Sequence, residues 1–271
     1  MLAMGCTQSQ GDHTLFVKHS ATGEVTILVV YVDDIIVTGN DPTERDSLPK
    51  CLAKEFEIKE LGKMKYFLGS SIFSKHDIFL SQTKYVLDLL KETGTLGCKA
   101  ASTPIEPNHK MIGDKDDTTI EKGRYQRLVG KLIYLSHTRS DIAYVVNVVN
   151  QFMHDPKERH LQAVHSILHY LKATTGRGIL FKKGKELTLE AYIDVDYASS
   201  IIDRRSTSSY YCTFLGDNLV TWRSKKQPMV ARSTEAEFRA MAHGVYELFW
   251  LKIILDDIRV KKGRTDETLL Q

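Results

Sequence analysis

The sequence predicts an α+β chain in three stretches: period-two segments over residues 1–80, helical periods over 81–180, and period two again over 181–258, closed by one long helix. Three observations carry this. Two β-branched apolar runs between Val25 and Thr38 flank an acidic pair. Three apolar patterns at helical spacing follow one another between Tyr125 and Leu171. Alternating segments between Ile179 and Arg223 then give way to a helical pattern from Thr234 to Leu255.

In the first stretch, V-T-I-L-V-V-Y-V-D-D-I-I-V-T at 25–38 predicts a β-hairpin with carboxylates at its tip, ended by Gly39-Asn40-Asp41-Pro42. A helix is expected over Asp46 to Phe56, and further strands between Met64 and Leu80. From Ser81, which can cap a helix, Tyr85, Val86, Leu89 and Leu90 recur at helical spacing up to Gly94. Lys99 to Lys122, with Pro104, Pro107 and Gly113, has no period and reads as a linker. The three following helices carry Tyr125, Leu128, Leu132 and Leu135; Ile142, Val145, Val149 and Phe152; and Leu161, Val164, Leu168 and Leu171 behind Asp155-Pro156. Strands are expected at 179–181, 187–193, 209–215 and 219–223. The last helix places Phe238, Met241, Val245, Leu248 and Leu255 on its apolar face.

Composition is that of a globular protein, with 42% hydrophobic and 26% charged residues. The net charge of +3 supplies no bulk attraction for nucleic acid, so such a partner must be argued from local patches. Four cysteines without C-x-x-C spacing indicate neither a zinc site nor a disulfide framework. The N-terminus has no basic segment followed by a sustained apolar one, and the longest apolar run, Ile27 to Val32, is far short of the ~20 residues a membrane helix needs. A soluble, intracellular protein with no membrane partner is expected, in cytoplasm or nucleus.

Adjacent carboxylates at Asp33 and Asp34 raise each other's pKa unless something positive offsets them, and a divalent cation does so. A surface turn is the plainer account of the dipeptide, because Asp favours turns. The surroundings weigh against it. Tyr31-Val32-Asp33-Asp34 between two apolar runs resembles the metal-binding hairpin of reverse transcriptases. Thr7-Gln8-Ser9, Asp12 to Phe16, Leu61-Gly62-Lys63, Tyr66 to Gly69, Leu80 to Tyr85, Thr103-Pro104 and Asp141 to Tyr144 resemble, in order, the Pol polyprotein of copia-type retrotransposons. The resemblance implies that Asp33 and Asp34 are catalytic carboxylates binding Mg²⁺ or Mn²⁺. It also implies that residues 61–69 support a primer end, that 1–80 is a palm remnant, and that 81–180 is a helical thumb and connection. A further palm aspartate belongs upstream in that family. Of the acids before Tyr31, Asp12 and Glu24, neither sits in a matching context, so polymerisation by this chain alone is not expected.

A second acidic set lies downstream. Asp194 ends a predicted strand and Glu237 opens the last helix; together they could hold Mg²⁺, although Thr234-x-x-Glu237 is by spacing alone better read as a capping box. Asp194 to Ala198, Arg204 to Ser208, Thr221 to Pro228 and Ser233 to Phe238 resemble the start of the copia-type ribonuclease H domain. That resemblance makes 181–258 a partial ribonuclease H-like unit with a mixed sheet, and Asp194 and Glu237 its catalytic metal ligands; Asp196 and Glu235 are neighbours of uncertain role. The family's next aspartate, in a C-D-N-like motif, is not found, and 259–271 resembles nothing in the domain.

Between Arg204 and Arg232 six basic residues face a single acid, Asp217. Arg204, Arg205, Lys225 and Lys226 could meet hybrid phosphates or simply form a solvated surface. His165 and His169 share i, i+4 spacing without the glutamate of H-E-x-x-H, so solvent-facing histidines are expected. The implied activity is RNA-directed DNA synthesis with hydrolysis of RNA–DNA hybrids, with an RNA template and other polyprotein segments as partners. The alternative is a non-enzymatic remnant that at most binds nucleic acid or a partner protein.

Overall fold

The computed structural model describes residues 1–74, 76–106, 111, 118–184, 187–196, 207–227 and 233–260. By contact the chain forms two compact units, Met1–Met64 with the segment from Val245, and Lys65–Gly244.

In the first unit, after a 3₁₀ turn at Leu2–Met4, strands β1 (Thr7–Gln8), β2 (Leu15–His19), β3 (Val25–Tyr31) and β4 (Asp34–Gly39) form an antiparallel sheet in chain order. The predicted hairpin is β3–β4. Gly39, at φ 139°, runs so close to β3 that a Cβ would stand 2.2 Å from the Val25 carbonyl oxygen, so only glycine fits. Helix α1 (Pro42–Glu55) starts four residues before the expected Asp46. Asp41 Oδ1 accepts the Glu44 amide at 2.9 Å, and Pro42 takes the first turn, where its missing N–H costs nothing. Leu48 and Leu52 of α1 bury against Cys6 and Leu28, with Phe16, Ile35 and Val37 packed around them.

The second unit opens with an antiparallel sheet of β5 (Tyr66–Phe67), β6 (Ser70–Ser74), β7 (Ile78–Ser81) and β8 (Ile179–Phe181). Helices α2 (Thr83–Glu92), α3 (Lys122–Ser136), α4 (Ser140–Asn150) and α5 (Glu158–Ala173) share one core. Tyr125, Leu132, Leu135, Ile142, Val149, Val164, Leu168 and Leu171 are fully buried there, each apolar side chain contributing about 2 kcal/mol. Burial pushes the Tyr125 phenol well above its ordinary range, and its hydroxyl donates to the Val149 carbonyl at 2.7 Å. Gln82 rather than Ser81 precedes α2, because the Ser81 hydroxyl is engaged with that of Thr83 at 2.7 Å. Phe152 lies beyond α4, stacked on His160.

The last sheet has the order β11–β10–β9, from β9 (Leu189–Asp196), β10 (Thr207–Leu215) and β11 (Asn218–Gln227). It is antiparallel throughout, where a mixed sheet was expected: the three described strands follow one another as hairpins, and a parallel neighbour would need a crossover. Helix α6 (Ser233–Asp257) contributes its residues up to Gly244 to this unit and the remainder to the first. Its buried positions are not the large ones expected. Phe238 is 65% exposed, while Ala236, Ala240 and Gly244, spaced by four, face inward. Small residues let the helix approach the strands so closely that a Cβ on Gly244 would stand 2.4 Å from Ile193 Cδ1. In the first unit the second half of α6 meets β2 and the loop before it. Ser9 Oγ donates to Asp257 at 2.6 Å, Trp250 Nε1 donates to the Gly11 carbonyl at 2.8 Å, and His19 Nε2 lies 2.9 Å from the Asp257 carbonyl.

Candidate functional site

Tyr31 pairs with Asp34 across the β3–β4 ladder, leaving Val32 and Asp33 as a two-residue turn. Val32 has φ 54° and is 87% exposed. A β-branched residue in the left-handed region is strained by about 1–2 kcal/mol, and such strain persists where neighbouring pairing fixes the chain. Asp33 and Asp34 are both exposed, and among the described residues neither side chain has a hydrogen bond or ion pair. Two adjacent carboxylates on a solvent-facing tip offer hard oxygen donors of the kind Mg²⁺ or Mn²⁺ prefers. Among the described residues no group of three His, Cys, Asp or Glu side chains is positioned to hold a metal.

Asp194 lies in β9, opposite Tyr210 of β10, and accepts the Val195 amide at 2.9 Å through Oδ1. Side chains alternate along a strand, so Asp194 and Ile193 point to opposite faces. Ile193 lies beneath α6, and Asp194 lines a cleft on the α4 side with Tyr144 and Tyr210. Glu237 is exposed in the first turns of α6. Thr234 is the second residue of that helix, two places too late for the cap of a Thr234–Glu237 box, and Glu235 pairs with Arg239 at 2.6 Å.

Lys225 is exposed and Lys226 half-buried on successive positions of β11, hence on opposite faces. Arg204, Arg205 and the Asp196 side chain lie outside the described residues. The histidines of α5 are less open than expected. His160 is buried, its Nδ1 accepting the Lys157 amide and its Nε2 meeting the Met111 carbonyl, each at 2.9 Å. His165 is half-buried, and burial, with Arg124 and His169 nearby, lowers its pKa.

Two features escape a motif search. Arg139, 3% exposed, clamps Asp141 through two 2.8 Å bonds and reaches the Thr174 carbonyl and hydroxyl, while the Tyr170 hydroxyl donates to Asp141 at 2.7 Å. Aromatic side chains also gather around Asp194; their sequence signal is the period-two spacing of Tyr192 with Asp194 and of Tyr210 with Phe214.

Residues 1–107 match the reverse transcriptase (RNA-dependent DNA polymerase) family. The chain is 40% identical over 97% of its length to the retrovirus-related Pol polyprotein from transposon RE1 of Arabidopsis thaliana, of which it covers 18%. An uncharacterized mitochondrial protein of the same plant is 40% identical over 82% of the chain and 93% of its own length. The putative transposon Ty5-1 protein of Saccharomyces cerevisiae is 31% identical over 90% of the chain and 80% of its own length. No solved structure matches. The chain thus spans about a fifth of the full Pol polyproteins it resembles. With the acidic hairpin and the motif order on both sides of it, these similarities show that the chain belongs to the copia-type retrotransposon Pol polyproteins, in their reverse transcriptase region.

Proposed function

We propose that this chain forms the junction of a reverse transcriptase with a ribonuclease H, serving RNA-directed DNA synthesis and RNA–DNA hybrid hydrolysis within a longer protein. The observation that carries the reading is the strained β3–β4 tip, which holds Asp33 and Asp34 in the open without a counter-charge among the described residues. These two would ligate Mg²⁺ or Mn²⁺, which when bound neutralises phosphate charge and activates the attacking oxygen. Downstream, Asp194 and Glu237 are the candidate ligands for hybrid hydrolysis. Of the basic residues, Lys226 shares a face with Asp194, so it is the better placed of the lysine pair to meet a phosphate near that carboxylate.

Alone, the 271-residue chain is expected to bind the cation weakly and not to extend a primer, since the described residues gather no third carboxylate. Mn²⁺ titration followed by paramagnetic broadening of backbone amides tests the first point. Broadening should centre on residues 31–35 and vanish in Asp33→Asn combined with Asp34→Asn. Unchanged spectra there would sink the metal assignment. Template-dependent extension that is lost in Asp33→Asn would overturn the expectation of inactivity instead.

A further inference from the structure

We propose that the cleft between α4 and the last sheet binds an organic ammonium cation, of the kind carried by choline-like molecules or by a methylated lysine side chain. The cleft encloses about 530 Å³. Tyr144 of α4 and Tyr192, Tyr210, Phe214 and Trp222 of the sheet line it, with Asp194 among them. Alternation turns these sheet residues toward α4, as the registers Asp194 to Tyr210, Tyr192 to Cys212 and Cys212 to Trp222 require.

The ring geometry selects the ligand class. Tyr144 and Tyr210 are inclined by 57° at 5.7 Å, and Tyr192 and Phe214 by 90° at 5.7 Å. Inclined rings do not form the parallel slot a flat heterocycle needs, whereas an aromatic lining with a carboxylate among it suits a compact cation. The indole N–H of Trp222 is already donated to the Ser136 carbonyl at 2.9 Å, so this residue offers the cleft its ring. Electrostatics agree. Asp194 is the acidic residue of the lining, and among the described residues only its Oδ1 is used, by the Val195 amide. Arg223 is also at the cleft, but its side chain alternates to the other face, where with Lys225 and His243 it borders a separate, smaller cleft. Ser224 adds a buried hydroxyl oxygen with no partner among the described residues, whose partial negative charge favours a nearby cation. The volume accommodates a methylated headgroup together with part of its tether.

This site stands independently of the proposed nuclease reading, although both use Asp194. The test is titration of the full chain, in EDTA, with choline and with its neutral isostere 3,3-dimethyl-1-butanol, followed by the Trp222 side-chain resonance. Choline should saturate and the isostere should bind at least about fivefold more weakly, the increment a cation–π contact supplies. Tyr144→Ala and Asp194→Asn should each weaken choline by about fivefold, while Tyr144→Phe, which keeps the ring, retains it. A trimethyllysine peptide that outcompetes choline would identify a protein partner as the source of the cation. Equal binding of the isostere would overturn the proposal in favour of a purely apolar cleft. Absence of saturable binding, or binding that appears only with added Mg²⁺, would overturn it as well.

Discussion

A buried guanidinium shows at single-residue scale how a motif can be visible while its purpose is not. Asp141 and Tyr144 are legible as parts of a family signature. Arg139, two places earlier, draws no notice, because its role depends on the turn between α3 and α4 and on Thr174 at the end of α5. The cluster closes fully. Burial pushes the Asp141 carboxyl up, but hydrogen bonds from Arg139 and Tyr170 outweigh it and hold the carboxyl below its ordinary value. The carboxylate is therefore bound more tightly folded than unfolded, and its stabilisation is present in full above the ordinary value of 3.8 and lost as pH falls through the lower folded value. Asp141→Asn should accordingly cost stability at neutral pH, with the gap to the parent chain narrowing in acid. Urea unfolding at a series of pH values checks this, and a gap that widens in acid would refute it. Arg139→Ala removes two charge-assisted bonds from the half-buried carboxylate, which keeps only Tyr170 and the more distant Arg177, and should cost roughly 2 kcal/mol.

At the scale of elements, period located the β3–β4 hairpin, the strands after residue 64 and the six α-helices in approximate position, since alternation and 3.6-residue spacing report burial directly, but it gave no sign of β1, β2 or the first 3₁₀ turn. It misplaced the ends and one face. Helix α1 begins at Pro42 because Asp41 and Pro42 act together, a signal present in the sequence but masked by the turn character of the same residues. In the first half of α6 the expected Phe238 is exposed, because distance to the sheet, which no periodicity encodes, selects Ala236, Ala240 and Gly244, while Met241, Val245, Leu248 and Leu255 are half-buried. The candidate site was legible in the same partial way. Asp33 and Asp34 sit at the hairpin tip as expected, whereas the side to which Asp194 points follows from strand register. Close approach also reverses an ordinary preference. Alanine in a helix is better than glycine by about 1 kcal/mol, yet Gly244→Ala should destabilise, because its methyl group collides with Ile193. Ile193→Ala in the same chain removes both atoms a new Cβ would meet, Cδ1 at 2.4 Å and Cγ1 at 2.8 Å, and should make the Gly244→Ala change far less costly. A double-mutant cycle with no coupling between the two positions would show that the contact is not the cause.

For the molecule as a whole, sequence distance matters as much as spatial distance. The strand boundaries near residues 80 and 180 follow changes of period, but β7 pairs with β8 across that entire interval, so the helices between them are an insertion bounded by one sheet. The first unit is stretched further still. Ser9 and its partner Asp257 are 248 positions apart, and the covering of β2 by α6 rests on that connection. A chain ended after residue 240 should therefore leave its first 64 residues open to protease, while the core of α2 to α5 stays protected. Limited proteolysis with fragment mapping reads this directly, and equal protection of residues 1–64 in the short and full chains would contradict it.

The contact between Ser9 and Asp257 also sets a timetable for synthesis. At 5–20 residues per second, the first strands leave the ribosome roughly 10 to 50 s before the helix that covers them exists. Through that interval the β2 face bearing Leu15 and Val17 waits in water, while the second unit meets its own partners within shorter stretches of chain. Of these 271 residues the first to be made are thus the last to be covered, and a chaperone that holds exposed strands would find its substrate at β2.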